Sequence, residues 1–139
     1  MEAFEQPVST ILPLDDIMNI KGQNMDGDPC LRVIKHGRTS GWTGGEVNGL
    51  RSDCQRAEGV YSTEICVLNL RHMMVFSHAG DSGSIVFDFK GRIVGMLHGG
   101  NASAGVLSME RTYVTPMEWL VEDIETQLGV RVSIPNTID

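Results

Sequence analysis

No helical period interrupts the chain between residues 30 and 114, and that absence decides most of what it can fold into. Short β-prone runs alternate there with glycine-rich breaks. Residues 30–35 alternate in character and carry branched side chains, so they are predicted as a strand, while residues 37–45 hold four glycines and are predicted as a tight turn region. Residues 46–50 form a second predicted strand and 51–58 a charged loop. Residues 60–70 form a longer strand, with Tyr61, Thr63, Ile65 and Val67 on one face. Residues 84–89 and 92–97 are hairpin partners across Lys90-Gly91, where glycine supplies the positive φ of the turn. Residues 98–103 are predicted as a loop and 109–114 as the last strand. Strands with no helices between them exclude a doubly wound α/β sheet and leave a mainly β fold, a small antiparallel barrel or sandwich.

At Thr115 the period changes. Thr115-Pro116-Met117-Glu118 carries threonine at N-cap, proline at N1 and glutamate at N3, the pattern of a capping box. Met117, Leu120, Val121, Ile124 and Leu128 follow at helical spacing, and Gly129 is a natural stop. A helix over 116–128 is therefore expected to lay its apolar face on the sheet. Residues 1–29 are a lead-in with one short helical turn near 14–20 and a loop from 21 to 29; residues 30–134 form one domain and 135–139 a tail.

Composition narrows the function. The 139 residues are 41% hydrophobic, enough for a packed core in one domain. A net charge of −7, with no basic stripe, speaks against nucleic acid and anionic membrane as partners. The one short basic cluster, Lys35-His36-Gly37-Arg38, fits a solvated strand end better than a phosphate site. Three cysteines, Cys30, Cys54 and Cys66, are an odd count without a C-x-x-C pair. Together with an acidic, non-apolar start at Met1-Glu2-Ala3-Phe4-Glu5, this points to free thiols and an intracellular location. No run approaches the ~20 apolar residues that a membrane helix needs. Four scattered histidines and three cysteines show no metal-ligand spacing, so no cofactor is expected.

The run Gly80-Asp81-Ser82-Gly83-Ser84 carries chemistry. A serine hydroxyl attacks a carbonyl only when a base takes its proton, and the resulting oxyanion needs donors. Glycines around the serine let the backbone turn sharply and present amides beside its Oγ. The nucleophile elbow of α/β-hydrolases needs a glycine at position 84 and a helix after the serine. Here Ser84 and a strand stand in those places, so that reading fails.

His78-Ala79-Gly80-Asp81-Ser82-Gly83-Ser84-Ile85-Val86 resembles the GDSGG-P-hydrophobic signature of chymotrypsin/trypsin-like serine proteases. Gly91-Arg92-Ile93-Val94-Gly95-Met96-Leu97-His98-Gly99-Gly100 resembles that family's next hairpin strand and substrate-lining segment, and Tyr113-Val114-Thr115-Pro116 its last strand before the closing helix. Upstream, the run from Lys35 to Gly45 resembles the K-x-G-R-T-T/S-G-x-T-x-G pattern of a divergent intracellular branch common in fungal trypsin-like proteins. The matches lie in register over residues 30 to 129.

The resemblance implies a Greek-key-like antiparallel β-barrel of the C-terminal kind, closed by a C-terminal α-helix. It implies Ser82 as nucleophile, the amides of Gly80 and Ser82 as oxyanion hole, and Asp81 as loop support, typically buried against a cation. Leu97, His98, Gly99 and Gly100 would run beside a bound peptide, and Phe76 would sit near the floor of the primary pocket, making it apolar or blocked. Ser84 departs from the family's second glycine, His78 from a disulfide cysteine, and His98 from a serine that supports the triad aspartate. The family's catalytic His and Asp come from an N-terminal barrel, and no matching segment precedes residue 30. His36, His72, His78 and His98 are poor substitutes, because even His98 would need a carboxylate to orient it and the sequence pattern names none. The expected activity is therefore the nucleophile-bearing half of a serine endopeptidase acting on peptide or protein substrates. An N-terminal barrel would complete it in cis or in trans, and the uncovered half-interface would favour a homodimer. The alternative is a non-catalytic protein-interaction domain derived from such a protease.

Overall fold

The computed structural model describes residues 11–20, 22–23, 27, 30–57, 60–70, 75–101 and 111–134; the side chains of 48–57, 60–63 and 101 are not described. The predicted loop at 21–29 lies mostly outside this set, as do the 135–139 tail, the outward or inward facing of Tyr61 and Thr63, the side chain of Cys54, and His72. Among the described residues, six strands follow a short helix α1 (Leu14–Met18): β1 (Leu31–Gly37), β2 (Gly41–Ala57), β3 (Val60–Asn69), β4 (Ile85–Asp88), β5 (Ile93–Asn101) and β6 (Arg111–Pro116). Helix α2 (Met117–Leu128) comes last.

The strands close into an antiparallel barrel in the order β1-β2-β3-β6-β5-β4. The chain lays down β1-β2-β3 as consecutive hairpins and then crosses over, so that β4 returns beside β1. The spatial order β4-β1-β2-β3 is a Greek key. The crossing segment between β3 and β4 carries Phe76, His78 and the Gly80–Ser84 run, so both meanders grip it.

Alternation along β1 turns Val33, Lys35 and Gly37 inward and Arg32, Ile34 and His36 outward. The barrel is filled by Val33, Val47, Ile65, Val67, Phe76, Val86, Val94, Leu97 and Val114, all buried. Residues ahead of β1 join them. The Leu12 amide bonds to the Ile93 carbonyl at 2.9 Å, and Leu12 and Ile17 are each only 2% exposed in the same core.

Three sequence expectations are corrected. Residues 41–45 and 51–57 are strand rather than turn and charged loop, because all belong to β2; 41–47 pair with β1, and β2 pairs with β3 from Gly45 to Ala57. Ladder bonds use the backbone, so a polar stretch joins a strand when a partner lies alongside. Residues 98–101 likewise continue β5, paired with β6 across a bulge between Leu97 and Gly99.

The third correction concerns α2. Pro116, not Thr115, is the N-cap, and no side chain caps the helix. The Glu118 carboxylate instead accepts the Leu14 amide at 2.6 Å, tying the lead-in to the helix. Met117 is buried, but Ile124 is 41% and Leu128 69% exposed. The barrel is closed, and the main contacts of α2 with the sheet are to β5 and β6, so its far end is left exposed. Gly129 ends the helix in the left-handed region at φ 64° as expected.

Gly95 sits where β5 comes close to β6. A Cβ there would overlap the Thr115 carbonyl oxygen and lie 2.7 Å from Val114 Cγ1. Gly95→Ala must push two paired strands apart and is expected to cost about 1–3 kcal/mol, read as a lowered urea midpoint with unchanged slope.

Candidate active site

The site is built on the Asp81 carboxylate, which is fully buried. Its Oδ1 accepts the amides of Thr39 at 2.8 Å and Ser40 at 3.1 Å. Its Oδ2 accepts the Ser40 hydroxyl at 2.5 Å and the His78 amide at 2.9 Å. The Lys35 ammonium, also fully buried, lies 3.6 Å from Oδ2. That ammonium donates to Ser40 Oγ at 2.5 Å and to the Gly41 carbonyl at 3.2 Å, and stands 5.4 Å from the centre of the Phe76 ring.

These contacts explain local sequence choices. Lys35 points inward because strand alternation puts it there, and a buried ammonium needs a counter-charge. Gly37 is required because a Cβ would overlap the Asp81 carboxylate. Burial disfavours the Asp81 charge, but the Ser40 hydroxyl and the His78, Thr39 and Ser40 amides outweigh it and hold the carboxyl well below its usual range. Burial lowers the pKa of Lys35, and the Asp81 charge partly offsets that.

The nucleophile-like turn hangs from this anchor. The Asp81 amide donates to the His78 carbonyl at 3.1 Å and the Ser84 amide to the Asp81 carbonyl at 3.1 Å. Gly83 donates to the Leu97 carbonyl and Leu97 donates to the Ser84 carbonyl, both at 2.8 Å, zipping the turn onto β5. Gly80 at φ 100° and Gly83 at φ 90° take conformations that other residues rarely adopt. Among the described residues, the amides of Gly80 and Ser82 donate to no protein acceptor, whereas those of Asp81, Gly83 and Ser84 are all committed. Gly80 and Ser82 are both exposed residues.

The Ser82 hydroxyl donates to the His98 carbonyl at 3.2 Å. A carbonyl accepts a hydrogen bond but does not take a proton, so this contact orients the hydroxyl without activating it. No imidazole among the described residues contacts it. The His36 ring instead meets Trp42 edge-on, 5.0 Å between centroids, and His78 Nδ1 is buried without a partner.

The structure thus brings Gly80, Asp81, Ser82 and the β5 segment 97–100 together. Phe76 and Leu97 stand differently: both side chains are buried in the barrel core. Phe76 is fully enclosed, packed near Gly45 and Lys35, with its carbonyl accepting the Thr43 hydroxyl. Leu97 offers its backbone to the turn rather than a side chain to solvent. His98 is exposed, and a Cβ on Gly99 would meet open space, so this part of β5 lies clear. A separate cavity of about 610 Å³, lined among others by Leu12, Asp16, Arg32, Phe89 and Lys90, includes no residue of the turn. Sequence reasoning passed over Lys35 and Ser40. An inward lysine in a strand was the available signal, masked because Ile34 beside it is apolar and gives the opposite alternation equal weight.

The crystal structure of Cellulomonas bogoriensis chymotrypsin is similar to this chain at 23% sequence identity and a TM-score of 0.48, over 77% of this chain and 50% of that one. The chain thus spans half the length of that enzyme. No curated protein matches the sequence. The profile of peptidase family S64 matches residues 8–132, nearly the whole chain, and the chain therefore belongs to peptidase family S64.

Proposed function

We propose that this chain is the nucleophile-bearing barrel of a serine endopeptidase: Ser82 attacks a peptide carbonyl, and the Gly80 and Ser82 amides receive the oxyanion. The observation that carries this reading is the pattern of commitment in the turn. Three amides are used to hold its shape, while those of Gly80 and Ser82, both exposed residues, have no acceptor among the described residues. Preorganised donors of this kind usually supply the largest single share of acyl-transfer catalysis. Asp81 maintains the turn from below, and β5 from His98 to Gly100 offers an extended edge along which a peptide substrate could lie.

Proton transfer is the step for which the described residues offer no base, since none of them touches the Ser82 hydroxyl. A base held by a second barrel, in cis or in trans, would complete the site. Without it the remaining groups should give only residual catalysis, about 10³-fold over water. Exogenous imidazole is small enough to reach an exposed serine. It is therefore expected to raise hydrolysis of an activated peptide ester in a saturable way, and Ser82→Ala should abolish the increase. Imidazole dependence that is linear and equal in both proteins would show only solution catalysis and would count against the reading.

A second reading, a non-catalytic interaction domain, draws on the row of Ile124, Leu128 and Val130, which are 41%, 69% and 51% exposed. A contiguous apolar patch of a few hundred Å² or more would mark a partner surface. Both readings share the barrel and the family, and Ser82 reactivity separates them.

A further inference from the structure

We propose that the cavity between the lead-in and the β4–β5 turn is a binding site for a small amphipathic monocarboxylate, an organic acid with one charge and an apolar body. The proposal stands apart from the reading of Ser82, because the cavity shares no residue with the serine-bearing turn.

The cavity holds about 610 Å³, inside the range of roughly 300–1,000 Å³ typical of small-molecule sites. Two backbone bonds fix its walls. The Leu12 amide donates to the Ile93 carbonyl at 2.9 Å, and the Cys30 amide to the Gly22 carbonyl at 3.0 Å. Leu12, Ile20, Leu31 and Phe89 make part of the lining apolar. Phe89, the first residue after β4, is 62% exposed. An aromatic ring left in water at a cavity gains from an apolar ligand that covers it.

Charge selects the head group. Among the described residues, Arg32, Lys90 and Arg92 line the cavity against Asp16 and Asp88, which leaves one positive charge in surplus on a chain of net charge −7. Asp88 is already committed. It is 1% exposed, its Oδ1 accepts the amides of Lys90 at 3.0 Å and Arg92 at 2.8 Å, and its Oδ2 accepts Arg92 Nε at 2.7 Å. This clamp holds the guanidinium through Nε, and the N–H groups on its terminal nitrogens take no part in it. A guanidinium fixed in this way suits a planar carboxylate, which it can grip through two parallel bonds. A phosphate monoester carries nearly two charges at neutral pH, more than this lining offsets.

Nitrogen-15 NMR of the 139-residue chain, titrated with octanoate near neutral pH, reads the site directly. The amides of Leu31, Arg32, Phe89 and Lys90 should shift together and saturate. Octanamide, which keeps the body and loses the charge, should bind about tenfold more weakly or worse, the effect of losing a hydrogen bond to a charged group. Inorganic phosphate, which has charge and no body, should also bind about tenfold more weakly. Arg92→Gln should weaken octanoate by about tenfold or more. Where the loss of Asp88's partner keeps that variant from folding, two substitutions on the exposed turn carry the test. Phe89→Ala should weaken octanoate by about tenfold and leave phosphate unchanged, and Lys90→Gln should weaken it by about threefold. Ser82→Ala should bind octanoate as the native chain does. No saturable shift, equal affinity for octanoate and phosphate, or unchanged binding in both Phe89→Ala and Lys90→Gln would overturn the proposal. Shifts confined to residues 80–84 would also overturn it, by placing the carboxylate on the serine-bearing turn, and would favour the anion-accepting role given to that turn.

Discussion

Asp81→Ala is expected to be among the most damaging single substitutions in this chain, costing about 3–5 kcal/mol of stability. The loss has two parts. Lys35 is left as a buried ammonium without its counter-charge, and breaking one side of a buried pair is costlier than removing both. The amides of Thr39, Ser40 and His78 also lose their acceptor. For a domain whose total stability is about 5–15 kcal/mol, that is a large fraction. The pH dependence carries the same signature. Folding depresses the Asp81 pKa, so its contribution is fully present above the unfolded value of about 4 and is lost as pH falls toward the lower folded value. Urea unfolding from pH 6 to pH 2 should therefore show native stability falling below about pH 4, and Asp81→Ala should fall less steeply. Equal slopes in the two proteins would mean that the carboxylate is not held in its charged form.

Phe76→Ala should also cost about 3–5 kcal/mol, the usual range for emptying a buried aromatic site. Phe76 is fully enclosed, and its ring packs near Gly45, where a Cβ would come within 2.8 Å of Phe76 Cδ1. Its removal opens a cavity and strips one wall from the Lys35 ammonium. The substitution also separates two roles. As part of the core, Phe76 should change the unfolding midpoint while leaving any preference among peptide ligands intact. A change in ligand preference with unaltered stability would return it to a pocket wall.

What could be read from the sequence was local. The Lys90-Gly91 turn, the Gly129 stop and the glycines around Ser82 follow from backbone conformation, which a residue and its neighbours decide. The Greek-key barrel followed from strands without intervening helices together with the family resemblance. What could not be read was set by distant partners. Residues 51–57 look like a loop by polarity and become strand because 60–65 lie alongside. Thr115 has the chemistry of a cap, but Pro116 takes the position and Glu118 is drawn to Leu14, more than 100 residues away. Leu12 and Ile17 look like lead-in and are core, because the Leu12 amide ties that segment to β5 and both side chains are buried with the barrel's own. Lys35 gains its role only when the crossing between β3 and β4 brings Asp81 against it. In the candidate site, Gly80, Asp81 and Ser82 were legible as one motif, whereas the anchor beneath them came from 41 to 46 residues upstream.

The most direct measurement is the intact mass of the 139-residue chain after incubation with a fluorophosphonate at millimolar concentration, followed by peptide mapping. The expected result is a single adduct, formed slowly for want of a base, located on Ser82 and absent from Ser82→Ala. No adduct, or one that persists in Ser82→Ala, would contradict the assignment of Ser82 as a nucleophile presented by this barrel.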